Sequence, residues 1–421
     1  MKDSGLQWVG KIPAEWEVAP LYSTARQVKK LNVGNRERNL LSLSYGRIKR
    51  KDIDMVTGLV PASYAGYNII ESGDIVLRLT DLQNDKKSIR VGLSKERGIV
   101  TSAYVTIRPD GKVSSDYLAY SILAFDIAKG FYGIGSGVRQ GLTYDEVKKL
   151  KFQFPPLPEQ EAIAAFLDSV TGMIDELRGK LKREIDRLED YKKSAITKAV
   201  CHGLDPKAKM KDSGIPWVGK VPESWKVNRG KYFLRLLARP TREDDGVITC
   251  FRDGEVTLRS NRREEGFTIS LKECGYQGIE PGDLVVHGMD GFAGSIGISN
   301  SRGKASPVLN VLDTDEDKKY LMYYLRSMAY RDVFTALSTG IRVRSCDLRW
   351  KKLADLVYIL PPLPEQREIA EHIDTMVGRV NAIVEKRKRQ LDALDKLKRT
   401  VVYDYVTGKR EVPLPKGGRS R

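Results

Sequence analysis

Arginines, lysines and amide side chains gather in a few short polar stretches of this chain, where they could hydrogen-bond to the edges of nucleic-acid bases. The stretch SYGRIKRK supplies Tyr45, Arg47, Lys49, Arg50 and Lys51, and the residues after GDIVL supply Arg78, Thr80, Asp81, Gln83 and Asn84. The glycine-rich run GIGSGVRQG adds Arg139 and Gln140. Further along come Arg259, Asn261, Arg262 and Arg263 from RSNRR, His287 and Asp290 after GDLVV, and Arg342 and Arg344 from GIRVRS. A guanidinium can donate twice to guanine, and an Asn or Gln amide can pair with adenine. The same cations could instead rest on phosphates, which position without reading sequence, or form ion pairs inside the protein. A strand-end histidine such as His287 can equally be a satisfied core group. Arg139 and Arg342 stand at equivalent places, each shortly after a glycine beyond a helical stretch.

No catalytic constellation accompanies these groups. There is no GxxxxGK[ST] phosphate loop. Gly133 to Gly141 lacks glycine where GxGxxG requires it, so a polar loop is the reading there. No asparagine precedes a proline pair in the manner of amino-methyltransferases. The four cysteines, Cys201, Cys250, Cys274 and Cys346, form no CxxC and lie at no zinc-ligand spacing from histidine. The expectation is free thiols, no metal and no cofactor of the chain's own. Met-Lys-Asp-Ser-Gly opens no apolar leader, and no apolar run approaches the ~20 residues that span a bilayer. A cytoplasmic protein without a membrane partner is expected.

The 421 residues carry a net charge of +17, and 41% are hydrophobic. Such a chain can build real cores, and its charge points to a polyanionic partner, with nucleic acid the commonest.

The elements that would position the polar stretches occur twice. KDSGLQWVGKIPAEWEV at 2–18 returns as KDSGIPWVGKVPESWKV at 211–227, with eleven of seventeen positions identical. ESGDIVL from Glu71 returns as EPGDLVV from Glu280, and PPLPEQ occurs at 155–160 and again at 361–366. A period this long means two similar domains rather than a solenoid. Strands are expected in ERNLLSLSYG, GDIVLRL, TSAYVTIRP and GDLVVHG. One helix is expected over SSDYLAYSILAFDIAKG, with Tyr117, Leu118, Ile122 and Phe125 on one face, and its copy over KKYLMYYLRSMAYRDVFTAL. The repeat is also cyclic: the C-terminal VTGKREVPLPKGG leads back toward MKDSG, so the two ends are expected to lie close together.

After each PPLPEQ comes a proline-free stretch of about 40 residues with an apolar heptad seam. The first seam is Leu167, Val170, Ile174, Leu177, Leu181 and Leu188, continuing to Tyr191 and Ala195 and interrupted by Glu184. The second is Ile373, Val377, Val380, Val384, Leu391 and Leu394, continuing to Val401, with Arg387 intruding. Pro158 and Pro364 suit a helix start. Helices of this length, ~60 Å at 1.5 Å per residue, need a partner for one apolar stripe, and each is the obvious mate of the other. The alternative is that each packs on its own domain. The Lys386–Arg389 cluster reads as a solvated helix face. The fold class is therefore α+β: two similar mixed α/β domains joined by two long antiparallel coiled-coil helices, in a pseudo-twofold arrangement. The divisions are 1–154, 155–203, 204–360, 361–409 and a basic tail at 410–421.

Two unlike domains, a repeated W-V-G-K-x-P-x-x-W opening and a repeated P-P-L-P-E-Q before each helix resemble the specificity subunit of type I restriction–modification enzymes. The resemblance covers nearly the whole chain. It implies that 1–154 and 204–360 are target-recognition domains, each reading half of a split DNA sequence, and that the coiled coil fixes the gap. It also implies a subunit without catalytic activity. Two methylation subunits would dock on it, and restriction–translocation subunits would complete the complex. S-adenosylmethionine, ATP and Mg would belong to those partners alone. The competing class is a coiled-coil scaffold that binds no DNA sequence. The unlike polar loops argue against it, because a symmetric binder would keep them alike.

Overall fold

The computed structural model describes residues 1–54, 61–82, 85, 89–134, 141–262, 274–336 and 348–412. The chain divides into two compact units, Met1–Leu181 with Lys388–Arg421, and Lys182–Arg387. Each unit takes its globular part from one repeat and a stretch from each of the two long helices, Leu157–His202 and Leu363–Val406.

The first unit holds two four-stranded sheets. One runs in the order Arg47–Lys51, Leu40–Ser44, Gly98–Val100, Asn68–Ile70, and the other Ala25–Gln27, Val105–Pro109, Ile75–Leu77, Val91–Leu93. The expected helix spans Ser115–Ile127, and Ser114 caps it by accepting from the Tyr117 N–H at 3.3 Å. Tyr117, Leu118, Ile122 and Phe125 are buried, as their spacing predicts.

The second unit repeats the plan with one four-stranded sheet, ordered Leu234–Leu236, Leu309–Thr314, Leu284–His287, Ile296–Ile298. Its helix is shorter than the sequence predicts. It covers Lys318–Tyr330, and a separate turn follows at Val333–Ala336. Asp332 between them has φ +55°, a left-handed conformation that ends the helical ladder and that Asp tolerates better than most residues.

The repeated sequence signatures touch one another. The Trp16 indole N–H donates to the Glu159 carboxylate of PPLPEQ at 3.1 Å, and Trp225 donates to Glu365 at 3.0 Å. The glutamine of each PPLPEQ accepts from the backbone N–H of a helix-capping residue, Ser114 to Gln160 and Asp317 to Gln366, both at 2.9 Å. The same amides donate back to Pro155 and Pro361 carbonyls at 2.8 and 2.9 Å. Asp74 of ESGD accepts from the Glu71 N–H at 2.7 Å, and Asp283 of EPGD from Glu280 at 2.8 Å. These motifs are joints: they fix where each long helix leaves its domain.

The two long helices have 46 and 44 residues, roughly 65–70 Å each at 1.5 Å per residue. They run antiparallel. In the first unit Asp175 meets Lys398 at 2.7 Å and Arg178 meets Asp395 at 2.7 Å. In the second, Lys192 donates to Asn381 at 3.0 Å. Each helix begins in one core and ends in the other. Ile163, Ala164 and Leu167 share the first core with Val402, Tyr405 and Val406. Ile196, Ala199 and Val200 share the second with Ile369 and Ile373.

Of the expected seam, Leu167, Ile174, Leu181, Ile373, Val380 and Val384 are buried, while Val170, Leu188, Val377, Leu391 and Leu394 are half-buried. Leu177 departs from it and is 47% exposed. A strict seven-residue step drifts against a 3.6-residue helix, and Arg178 takes the inward place, bridging to Asp395. Tyr191 is likewise exposed, and Lys192 beside it makes the facing contact.

Candidate nucleic-acid interface

In the first unit the SYGRIKRK stretch is a hairpin, with Leu40–Ser44 paired to Arg47–Lys51 and Ser44 opposite Arg47. Its two-residue turn has φ +49° at Tyr45 and +76° at Gly46, the left-handed pair that suits the twist of a tight hairpin. A Cβ on Gly46 would come within 2.8 Å of Ile89. Tyr45 stands outward at the turn, 86% exposed. Lys49 and Lys51 are exposed and form no ion pair among the described residues. Arg47 and Arg50 are already engaged, with Asp175 of the first long helix and Glu96 respectively. Burial pulls the Asp175 carboxyl upward, but Lys398 and Arg47 outweigh it and hold the group below its ordinary range.

The loop after Ile75–Leu77 carries Arg78, paired with Asp85 at 3.4 Å, and the exposed Thr80. Sequence reasoning missed the residue that shapes it. Arg90 is fully buried, and its guanidinium donates to the carbonyls of Arg78 at 3.4 Å, Thr80 at 2.6 Å, Asp81 at 3.2 Å and also Asp85. Its own N–H donates to Asp126 at 2.8 Å, and burial pushes that carboxyl up to about 6. The only available signal was an arginine set directly before a short apolar strand.

Gln83, Arg139, Gln140, Arg263, Arg342 and Arg344 lie outside the described residues, as do Asn84 and Cys346.

In the second unit three of the candidates meet. Arg259, Arg262 and His287 line one cavity of about 750 Å³. Arg259 Nε lies 3.4 Å from Thr249 Oγ1, and Asn261 donates to Thr257 at 2.9 Å. Arg262 pairs with Asp253 at 2.8 Å and Glu255 at 3.3 Å, and its guanidinium lies 4.1 Å from the Phe251 ring centroid. His287 Nδ1 accepts from the N–H groups of Met289 at 3.2 Å and Asp290 at 3.0 Å, and burial lowers its basicity. In the loops that follow the matching strands, one repeat thus uses the buried Arg90 cation and the other the His287 ring. Among the described residues no cluster of His, Cys, Asp or Glu could hold a metal, and no helix is long and apolar enough to cross a membrane.

Comparison with known proteins gives this geometry a context. The family model described as the type I restriction modification DNA specificity domain matches residues 59–187. A putative type I restriction enzyme MjaX specificity subunit from Methanocaldococcus jannaschii is 23% identical, over 96% of each chain. The StySPI specificity subunit of Salmonella potsdam is 20% identical, over 95% of this chain and 90% of its own. A solved chain from a study of complex assembly and conformational transition in the type I R-M system superposes with a TM-score of 0.67 at 16% identity, covering 95% of this chain and 100% of that one. That likeness is one of fold. The repeated joints and the full-length matches make this chain similar to type I specificity subunits.

Proposed function

We propose that the chain is the DNA sequence-recognition subunit of a type I restriction–modification complex. Residues 1–154 read one half of a split target, residues 204–360 read the other, and the two long helices set the spacer. The observation that carries this is the contrast between shared frame and unlike loops. The joints at Trp16–Glu159 and Trp225–Glu365 are copies, whereas the loops that follow the matching strands use Arg90 in one unit and His287 in the other. Two readers on one frame suit two different half-sites.

The chain has no turnover of its own in this reading. Methylation subunits, two per chain, dock along the helical region and bring S-adenosylmethionine. Restriction–translocation subunits bring ATP and Mg. The complex works in the cytoplasm on duplex DNA. The net charge of +17 supports the polyanionic partner and weighs against a scaffold that binds no nucleic acid.

The test is selection from a random duplex pool by the chain bound to a methylation subunit. The expected product is two short fixed sequences at a constant separation, with affinity falling steeply as salt rises. Enrichment of no sequence, or methyl transfer by the chain alone, contradicts the reading.

A further inference from the structure

The cavity of about 750 Å³ in the second unit has a wall rich in hydrogen-bond donors. Ser295 lines it and is 1% exposed, yet its Oγ has no partner among the described residues. A buried hydroxyl left unpaired is costly, so the group calls for a ligand. His287 is the second donor. Two backbone N–H groups point at its Nδ1, so the neutral ring carries its proton on Nε2.

The charge balance of the rim decides what the cavity accepts. Arg262 is neutralised by Asp253 and Glu255, and Arg252 pairs with Asp290 at 3.1 Å. A phosphate would meet the Asp253 and Asp290 carboxylates along with the guanidiniums. A neutral acceptor is not repelled by their charge and can take the leftover donors. In duplex DNA the guanine edge offers two adjacent acceptors, N7 and O6, whereas adenine sets an amino donor beside N7 and cytosine presents an amino donor. The leftover His287 Nε2–H matches these acceptors and opposes an amino donor, and the Ser295 hydroxyl can donate a second bond beside it.

Resting on the function proposed above, we infer that this cavity receives the acceptor edge of a guanine in one half-site, with Ser295 Oγ and His287 Nε2 as specificity-determining donors. Arg262, held over Phe251, forms the rim against which the base edge comes to rest.

The experiment repeats the duplex selection with Ser295→Ala and His287→Asn, each in complex with a methylation subunit and each checked for cooperative unfolding. An asparagine oxygen can replace Nδ1 as acceptor for the Met289 and Asp290 N–H groups, so His287→Asn removes the Nε2 donor while keeping the loop bonds. Ser295→Ala removes a hydroxyl that has no partner among the described residues, so it tests the site even if His287→Asn fails to fold. The expected result is a loss of about 5- to 150-fold in preference for guanine at one position of one half-site. The other half-site and the salt slope stay as in the parent. Unchanged selection by folded variants overturns the proposal. So does an even loss on every sequence with a shallower salt slope, which marks a phosphate contact. If the parent itself selects no sequence, the underlying functional reading fails, and the site falls with it.

Discussion

Arg387 donates from Nε and Nη2 to Glu184 Oε1 at 3.0 and 2.8 Å. These are the two residues that interrupt the apolar seams of the long helices, and each interruption answers the other. A polar pair within an apolar stripe fixes register, since sliding one helix against the other separates the partners. Both side chains are partly exposed, so the pair itself contributes little. Glu184→Ala is expected to cost under about 1 kcal/mol. Replacing both with Leu is expected to leave stability equal or higher, because the stripe becomes continuous. A double-mutant cycle by chemical denaturation checks this. A loss of several kcal/mol in the double variant would show that the pair is a main source of stability.

A half-chain ending near residue 209 is expected to self-associate. It lacks Val402, Tyr405 and Val406, which complete the first core, and it leaves Ile196, Ala199 and Val200 without the core they fill in the second unit. The two sets occupy equivalent places in their repeats, so one copy can supply what the other lacks. Light scattering is expected to give a dimer. A stable monomer with a fully formed helix would contradict the cyclic repeat.

Asp126 makes stability depend on pH. Its folded-state carboxyl titrates near 6 against an ordinary value of 3.8, because it is buried. The folded state therefore holds the proton more tightly, so this group's contribution is fully present below 3.8 and is lost as pH rises through 6. Asp126→Asn keeps an acceptor for the Arg90 N–H and removes the titration. Measured as the difference between variant and parent, stability is expected to move in favour of Asn between pH 3.8 and 6 and then level off. A flat difference across that window would mean that Asp126 is not the titrating group.

The helices offer a test of the spacer. Insertion near Val200 would disrupt a core, since Ile196 to Cys201 are buried there. Seven residues inserted after Leu181 and seven after Arg387 leave both cores intact and add nearly two whole turns, about 10 Å per helix. At about 3.4 Å per base pair the degenerate spacer is expected to grow by about three base pairs, with both half-sites unchanged. Sequencing of methylated bases in a host carrying the variant reads the spacer directly. An unchanged spacer at full activity would remove the helices as the ruler.

Much of this frame was legible in the sequence because it is written twice. Identical residues such as Trp16 and Trp225, or Glu159 and Glu365, mark joints whose geometry must be repeated, and helix periodicity reported Tyr117 and Ile122 correctly. The seam was less legible in its middle, where Leu177 turns outward and Arg178 inward. A pattern of apolar residues cannot show that a long cationic side chain will take the facing place and find Asp395. The site was least legible. Arg47 and Arg50 read as candidate base contacts or internal ion pairs, and the sequence could not choose because their partners Asp175 and Glu96 are distant in it. Arg90 and Ser295 act from within the fold, where composition carries no trace of them.

Two unlike domains that read two unlike half-sites of one target would leave a bipartite mark on DNA. Sequencing the methylated bases of a host that carries this chain with a methylation subunit reads that mark. The expected result is one motif in two fixed parts of different sequence, separated by a degenerate spacer of constant length, present only when the chain is present. A contiguous motif, two identical halves, or methylation independent of the chain would contradict it.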